Sequence, residues 1–174
     1  FCRMAYQFSQ SQELFARAGY SIAGGVNSGV RRMEQPVPLF FERGAGSRLW
    51  DVDGNEYIDF QIGQGALLYG NAPPGMAGAI AAQARLGTHW ASQSRLEIEV
   101  AERLCDVIPC AEQIRFLKTG SEACAAAASI ARAYTGRNVI LCEDSGYHGW
   151  HDGFRVLSAL HPGVPDGMNS FVRT

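Results

Sequence analysis

Residues 115–136, RFLKTGSEACAAAASIARAYTG, decide how this chain is read. Just before and into them, Ile114, Phe116 and Leu117 give Gln113 to Leu117 the apolar content of a short strand. Thr119 and Gly120 make a turn. Ser121 is placed to cap a helix running to about Tyr134, and Gly136 stands where a glycine ends one. Strand, small-residue turn and helix start together form an anion site. The first-turn N–H groups lack partners within the helix, and the helix dipole adds partial positive charge. Gly120 permits close backbone approach, and the Thr119 and Ser121 hydroxyls can donate to phosphate oxygens. The same residues also suit a capped, alanine-rich core helix, so the stretch alone does not name a ligand.

The flanking sequence supplies the frame. A second strand is expected near Asn138 to Cys142, followed by a loop from Glu143 to Asp152. Strand, helix and strand in close succession make a βαβ unit with parallel pairing. In α/β sheets ligands bind beyond the carboxyl ends of the strands. Two loops leave such ends, Lys118 to Ser121 and Glu143 to Trp150, and they are expected to face one site. The second contains Tyr147, His148, Trp150 and His151, and its aromatic faces suit stacking on a flat ring.

Upstream, Gln7 to Ala18 reads as an amphipathic helix, with Phe8, Leu14, Phe15 and Ala18 on one side. Gly24 to Arg31, GGVNSGVR, is too rich in glycine for regular structure and reads as a shaped loop or a linker. Leu39 to Glu42, Arg48 to Asp51 and Glu56 to Asp59 read as three strands of an antiparallel meander, with Asp53-Gly54 as a hairpin signal. Gln61 to Gly75 is a second shaped loop. Pro74 opens a helix that stops at Gly87, and Ser94 to Val107 carries a clear helical stripe.

Composition narrows the class. The chain has 174 residues, 47% hydrophobic and 18% charged, with a net charge of −2. That is a globular chain of ordinary domain size, with no charge-based reason to bind nucleic acid or an acidic membrane surface. No apolar run approaches the roughly 20 residues of a membrane span. Cys2, Cys105, Cys110, Cys124 and Cys142 are odd in number and lack metal-ligand spacing, as in reduced cysteines of a cytoplasmic protein. The chain begins at Phe1 and ends just after Ser170-Phe171-Val172, which reads as a strand begun, so both ends read as cut. Lys118 is the only lysine among 15 basic residues.

Taken in order, these pieces resemble the N-terminal part of class III pyridoxal-phosphate aminotransferases, in particular the glutamate-1-semialdehyde 2,1-aminomutase branch. The likeness runs from about Leu14 to about Asp152. GGVNSGVR at 24–31 is similar to the family's GGVNSPVR, and LWDVDGNEYIDF at 49–60 to its meander. TGSEA at 119–123, ARAYTGR at 131–137 and YHG at 147–149 are similar to its phosphate turn, following helix and ring-stacking loop. The resemblance implies an α/β chain of fold type I. Residues 1–60 would form an N-terminal helix and meander, and 61–174 the start of a large domain with a mostly parallel sheet. It implies pyridoxal 5'-phosphate as cofactor. Thr119, Gly120 and Ser121 would lie on its phosphate, with Tyr147 on its ring and His148 beside it. Arg31 would hold a substrate carboxylate, for which a planar guanidinium fork is suited. It further implies small amino and keto substrates and a homodimer with its site at the interface. The Schiff-base lysine and the aspartate on the pyridinium nitrogen would lie beyond Thr174, so this chain alone is expected to be inactive.

Four positions depart from the family pattern. Gly29 replaces a proline, Gln64 a tryptophan and Lys118 an asparagine, and Trp150 follows the YHG triplet where the family differs. The first two flank the expected substrate pocket and favour an amino-transferring relative over the aminomutase itself. Other readings are a truncated, dimer-forming relative without activity, and a metal hydrolase using His148 and His151 with Asp144 or Asp152. In a third reading, dinucleotide binding, Gly63, Gly65 and Gly70 miss the required spacing.

Overall fold

The computed structural model describes residues 6–143, 146–155 and 163–173. The chain divides into two compact units, Phe1–Ala91 and Ser92–Thr174.

In the first unit, helix α1 (Ser9–Ala18) has no cap of its own, because Phe8 stands at the N-cap position with no side-chain acceptor. Asp53 supplies the acceptor. Its Oδ1 accepts the Gln10 N–H at 2.7 Å, and its Oδ2 accepts the Ser11 N–H at 2.9 Å and hydroxyl at 2.6 Å. A carboxylate at a helix start is also favoured by the dipole. Asp53 belongs to the hairpin of a three-stranded antiparallel sheet, β1 (Phe41–Ala45), β2 (Arg48–Asp51) and β3 (Glu56–Ile58), in that order. The expected meander is present, with its first strand shifted toward Ala45.

Asp51 organises that hairpin. It is 2% exposed and accepts from the Asp53 and Asn55 N–H groups, the Asn55 amide and the Tyr57 hydroxyl. Buried carboxylates require such partners. Asn55 also exchanges two hydrogen bonds with the Gln7 backbone, and the Tyr6 ring stacks on Tyr57 at 5.2 Å. Burial, with the Asp51 carboxylate beside it, pushes the Tyr57 phenol well above its ordinary value. On the sheet, the Arg43 guanidinium lies 3.5 Å from the Trp50 ring centroid, while the Trp50 indole donates to Glu56, which also pairs with Arg48.

Asp59 ties in the following loop. It accepts from the Gln61 and Ile62 N–H groups and the Asn71 amide, while Asn71 bridges to Gly46 through the backbone. Helix α2 (Met76–Leu86) then runs to Gly87, starting two residues after Pro74 with Gly75 as N-cap.

In the second unit, α3 (Arg95–Val107) starts at the Ser94 cap, whose hydroxyl accepts from the Glu97 N–H. Helix α4 (Gly120–Thr135) ends at Gly136 in the left-handed conformation (φ 66°). After it come β4 (Ile140–Leu141), the short α5 (Asp152–Arg155) and β5 (Val172–Arg173). Gln113 to Leu117 is a correction to the expected order: it forms no ladder with any described strand. A strand exists only by pairing. The parallel pairing in this unit is instead between β4 and β5, Ile140 with Val172 and Leu141 with Arg173.

The buried aliphatic side chains among the described residues include Ala18, Val37, Ala128 and Val172, each less than a tenth exposed. The stripes of α2, α3 and α4 stay open, with Ile80, Ile98 and Ile130 each more than half exposed. No described helix is long and apolar enough to cross a membrane.

Candidate phosphate-binding site

Helix α4 begins two residues earlier than a Ser121 cap would place it, and this changes who does what. Thr119, not Ser121, is the N-cap. Its hydroxyl oxygen accepts the Glu122 N–H at 3.2 Å, and the Glu122 carboxylate accepts the Thr119 N–H at 2.9 Å. The pattern Thr-x-x-Glu closes this reciprocal box, whereas three residues after Ser121 stands Cys124, which cannot. Ser121 therefore sits inside the first turn with its hydroxyl relieved of capping. The N–H groups of Gly120 and Ser121 donate to no described residue, as expected of a helix start.

The loop after β4 closes on this turn. The Trp150 N–H donates to the Ser121 Oγ at 3.1 Å. Gly149 is buried with φ 116°, and a Cβ there would lie 2.8 Å from both the Cα and the Oγ of Ser121. Gly149 is thus required twice, by its left-handed backbone and by its neighbour. The two loops touch at Ser121, which meets Gly149 and Trp150 of the 147–150 segment.

Within that segment the Tyr147 ring is 78% exposed, leaving its faces open. The His148 Nε2 is buried without a partner among the described residues, and its ring lies 6.3 Å from that of Phe154. A Cβ on Gly146 would stand 2.5 Å from this nitrogen. Arg31 belongs to the first unit, exposed in a short 3-10 turn (Arg31–Met33). Gly29 stands in open space, so no packing demands a glycine there, while Gln64 adopts φ 58°, uncommon for a residue with a side chain. No three described His, Cys, Asp or Glu residues gather to hold a metal. Asp144, the further ligand considered with His148 and His151, lies outside the described residues, as does Cys2.

Unbonded helix N–H groups, an uncommitted hydroxyl proton on Ser121 and a glycine-floored contact suit a phosphate-bearing group. Sequence reasoning found the turn and the loop but missed the Trp150 N–H and the capping role of Glu122. The spacing Thr119 to Glu122 was the available signal for the second.

The fold is that of part of a fold-type-I pyridoxal-phosphate-dependent transferase. The chain belongs to the Aminotransferase class-III family, whose pattern matches residues 30–173. It is 47% identical over 170 residues to a glutamate-1-semialdehyde 2,1-aminomutase of Chloroflexus aggregans, covering 91% of this chain and 39% of that protein. Among solved structures, a transaminase with PLP bound is 35% identical with a TM-score of 0.88, covering 97% of this chain and 41% of the other. An omega-transaminase from Sphaerobacter thermophilus is 32% identical with a TM-score of 0.85, covering 92% and 40%. The chain therefore spans about two fifths of the length of the relatives it matches.

Proposed function

We propose that this chain is the phosphate-anchoring part of an enzyme that transfers an amino group between an amino donor and a carbonyl acceptor. The observation that carries the reading is the closure of the 147–150 loop on Ser121, which joins a phosphate turn to an aromatic cover. In this reading the Gly120 and Ser121 N–H groups and the Ser121 hydroxyl hold the phosphate of pyridoxal 5'-phosphate. Tyr147 covers the ring and shields it from water, with His148 behind it. Arg31 orients the substrate through its carboxylate. The cofactor, when bound, supplies the electron sink for amino transfer. Lys118 is not assigned the covalent role, because it precedes the cap of α4 rather than following a later strand. The reading places that lysine, and proton transfer with it, beyond Thr174, so residues 1–174 alone are inactive. It also takes the working form to be a cytoplasmic homodimer with the site at its interface.

The aminomutase reaction itself is the second reading, favoured by the identity with the Chloroflexus aggregans protein. Gly29 and Gln64 weigh toward intermolecular transfer instead. Incubating the full-length protein with glutamate-1-semialdehyde, and separately with pairs of amines and keto acids, separates the two. The site is tested by cofactor retention on dialysis. Gly120→Val with Ser121→Ala is expected to lose it, and unchanged retention removes this turn from the site.

A further inference from the structure

The Ser121 hydroxyl has one proton and two lone pairs, so what occupies its oxygen decides where the proton goes. The Trp150 N–H occupies it at 3.1 Å. Thr119 has taken over the cap, so no backbone N–H of α4 competes for that oxygen. The peptide joining Gly149 to Trp150 reaches it only because residue 149 has no Cβ. One would fall 2.8 Å from the Ser121 Oγ and Cα and 2.9 Å from its Cβ. These are distances that side-chain rotation does not relieve, since backbone is involved.

We propose that Gly149 and the Trp150 N–H are positioning elements: they set Ser121 as a hydroxyl donor toward the phosphate and lock the ring-covering loop to the anchoring turn. The inference rests on the reading that this turn holds the cofactor phosphate. It adds that the anchor and the cover are one coupled unit rather than two independent contacts. The loop that carries Tyr147 is then held correctly only while Ser121 accepts from residue 150.

The test uses the full chain labelled with 15N-tryptophan, which gives backbone signals from three positions within these residues, Trp50, Trp90 and Trp150. Pyridoxal 5'-phosphate is the probe, with inorganic phosphate as competitor. Loading is expected to shift the Trp150 amide signal, and Ser121→Ala to abolish that response. Gly149→Ala is expected to weaken cofactor binding about tenfold or more, the scale of a hydrogen bond to a charged group. Combined with Ser121→Gly, it is expected to add less than its own loss, because the hydroxyl it acts through has gone while only the contact with the residue 121 Cα remains. Additive losses, or an unchanged Kd for Gly149→Ala while the native Trp150 signal still responds to phosphate, overturn the inference and leave the phosphate reading standing. If neither probe moves the native signal or binds with the turn intact, the reading itself falls. Should Gly149→Ala fail to fold, exchange of the Trp150 amide decides. Faster exchange in Ser121→Ala supports the coupling, and an unchanged rate overturns it.

Discussion

Ser121 accepts a hydrogen bond from the Trp150 N–H at 3.1 Å, across a stretch of chain that includes all the rest of α4 and β4. This bond, with Gly149 packed beneath it, joins two sequence motifs. It also separates stability from binding at α4. The cap is Thr119 and the group proposed to face the anion is Ser121, two residues apart on the same turn.

Those roles predict opposite outcomes for two similar substitutions. Thr119→Ala removes a cap that satisfies the Glu122 N–H and is expected to cost about 1 kcal/mol of stability. Thr119→Ser is expected to restore most of it. Ser121→Ala leaves the capping box intact and removes only the exposed bond from the Trp150 N–H, so it should cost less stability than Thr119→Ala while reducing cofactor retention. Denaturant unfolding followed by circular dichroism, alongside dialysis of the loaded protein, measures both. A Thr119→Ala variant as stable as the native protein would show that the structural assignment of the cap is wrong.

A second prediction concerns the glycine-rich segment after α1. Gly25 is buried at φ 75°, and a Cβ there would lie 2.7 Å from the Phe15 ring. Gly25→Ala combines a disfavoured backbone with overpacking, and is expected to cost about 1–3 kcal/mol. Phe15→Leu should relieve part of the added cost in the double variant, since it removes the atoms in the way. Gly24 is exposed, with only the flexible Arg32 side chain near its Cβ position, so Gly24→Ala should cost less. Thermal unfolding of the four variants tests the order.

Local chemistry was legible in the sequence, and long-range chemistry was not. The Asp53-Gly54 hairpin, the helix from about Ser94 to Val107 and the terminating Gly87 and Gly136 follow from residue type and spacing, because their causes lie within a few residues. The strand at Gln113 to Leu117 does not appear, because pairing depends on neighbours that no local pattern supplies. For the same reason nothing near Ser9 announces that its helix is capped by Asp53, or that the Trp150 N–H faces Ser121. Thr119 and Ser121 are alike in capping chemistry, and only the position of Glu122 selects Thr119.

Arg31 provides a functional prediction. Its proposed task is to pair both oxygens of a substrate carboxylate, for which lysine is a poor substitute despite equal charge. Arg31→Lys is expected to raise KM for a carboxylate-bearing substrate about tenfold or more, on the scale of one lost charge-assisted hydrogen bond, with a smaller effect on kcat. An amine without a carboxylate should be insensitive. Steady-state kinetics of the full-length protein with both substrate types is the check, and equal sensitivity of the two would remove Arg31 from the substrate site.

The last prediction follows from how the first helix is attached. Burial raises the Asp53 carboxyl, but the hydrogen bonds from the Ser11 hydroxyl and from the Gln10 and Ser11 N–H groups outweigh it, leaving it below its ordinary value of 3.8. Asp59 is lowered mainly by the Asn71 amide and the Ile62 N–H. A carboxyl depressed in the folded state contributes stability that is complete above the unfolded value and lost as pH falls through the folded one. Protection of residues 9–18 and of the 61–72 loop should therefore be flat from neutral pH to about 5 and decline below about 4. Asp53→Asn replaces the charged acceptor by a neutral one. It should lower protection of α1 already at neutral pH, and flatten its acid decline while leaving that of the 61–72 loop. Asn71→Ala should do the converse. Hydrogen exchange read by mass spectrometry across pH resolves the two segments. An acid decline of α1 that is unchanged in Asp53→Asn would mean that something other than this carboxylate holds the helix to the hairpin.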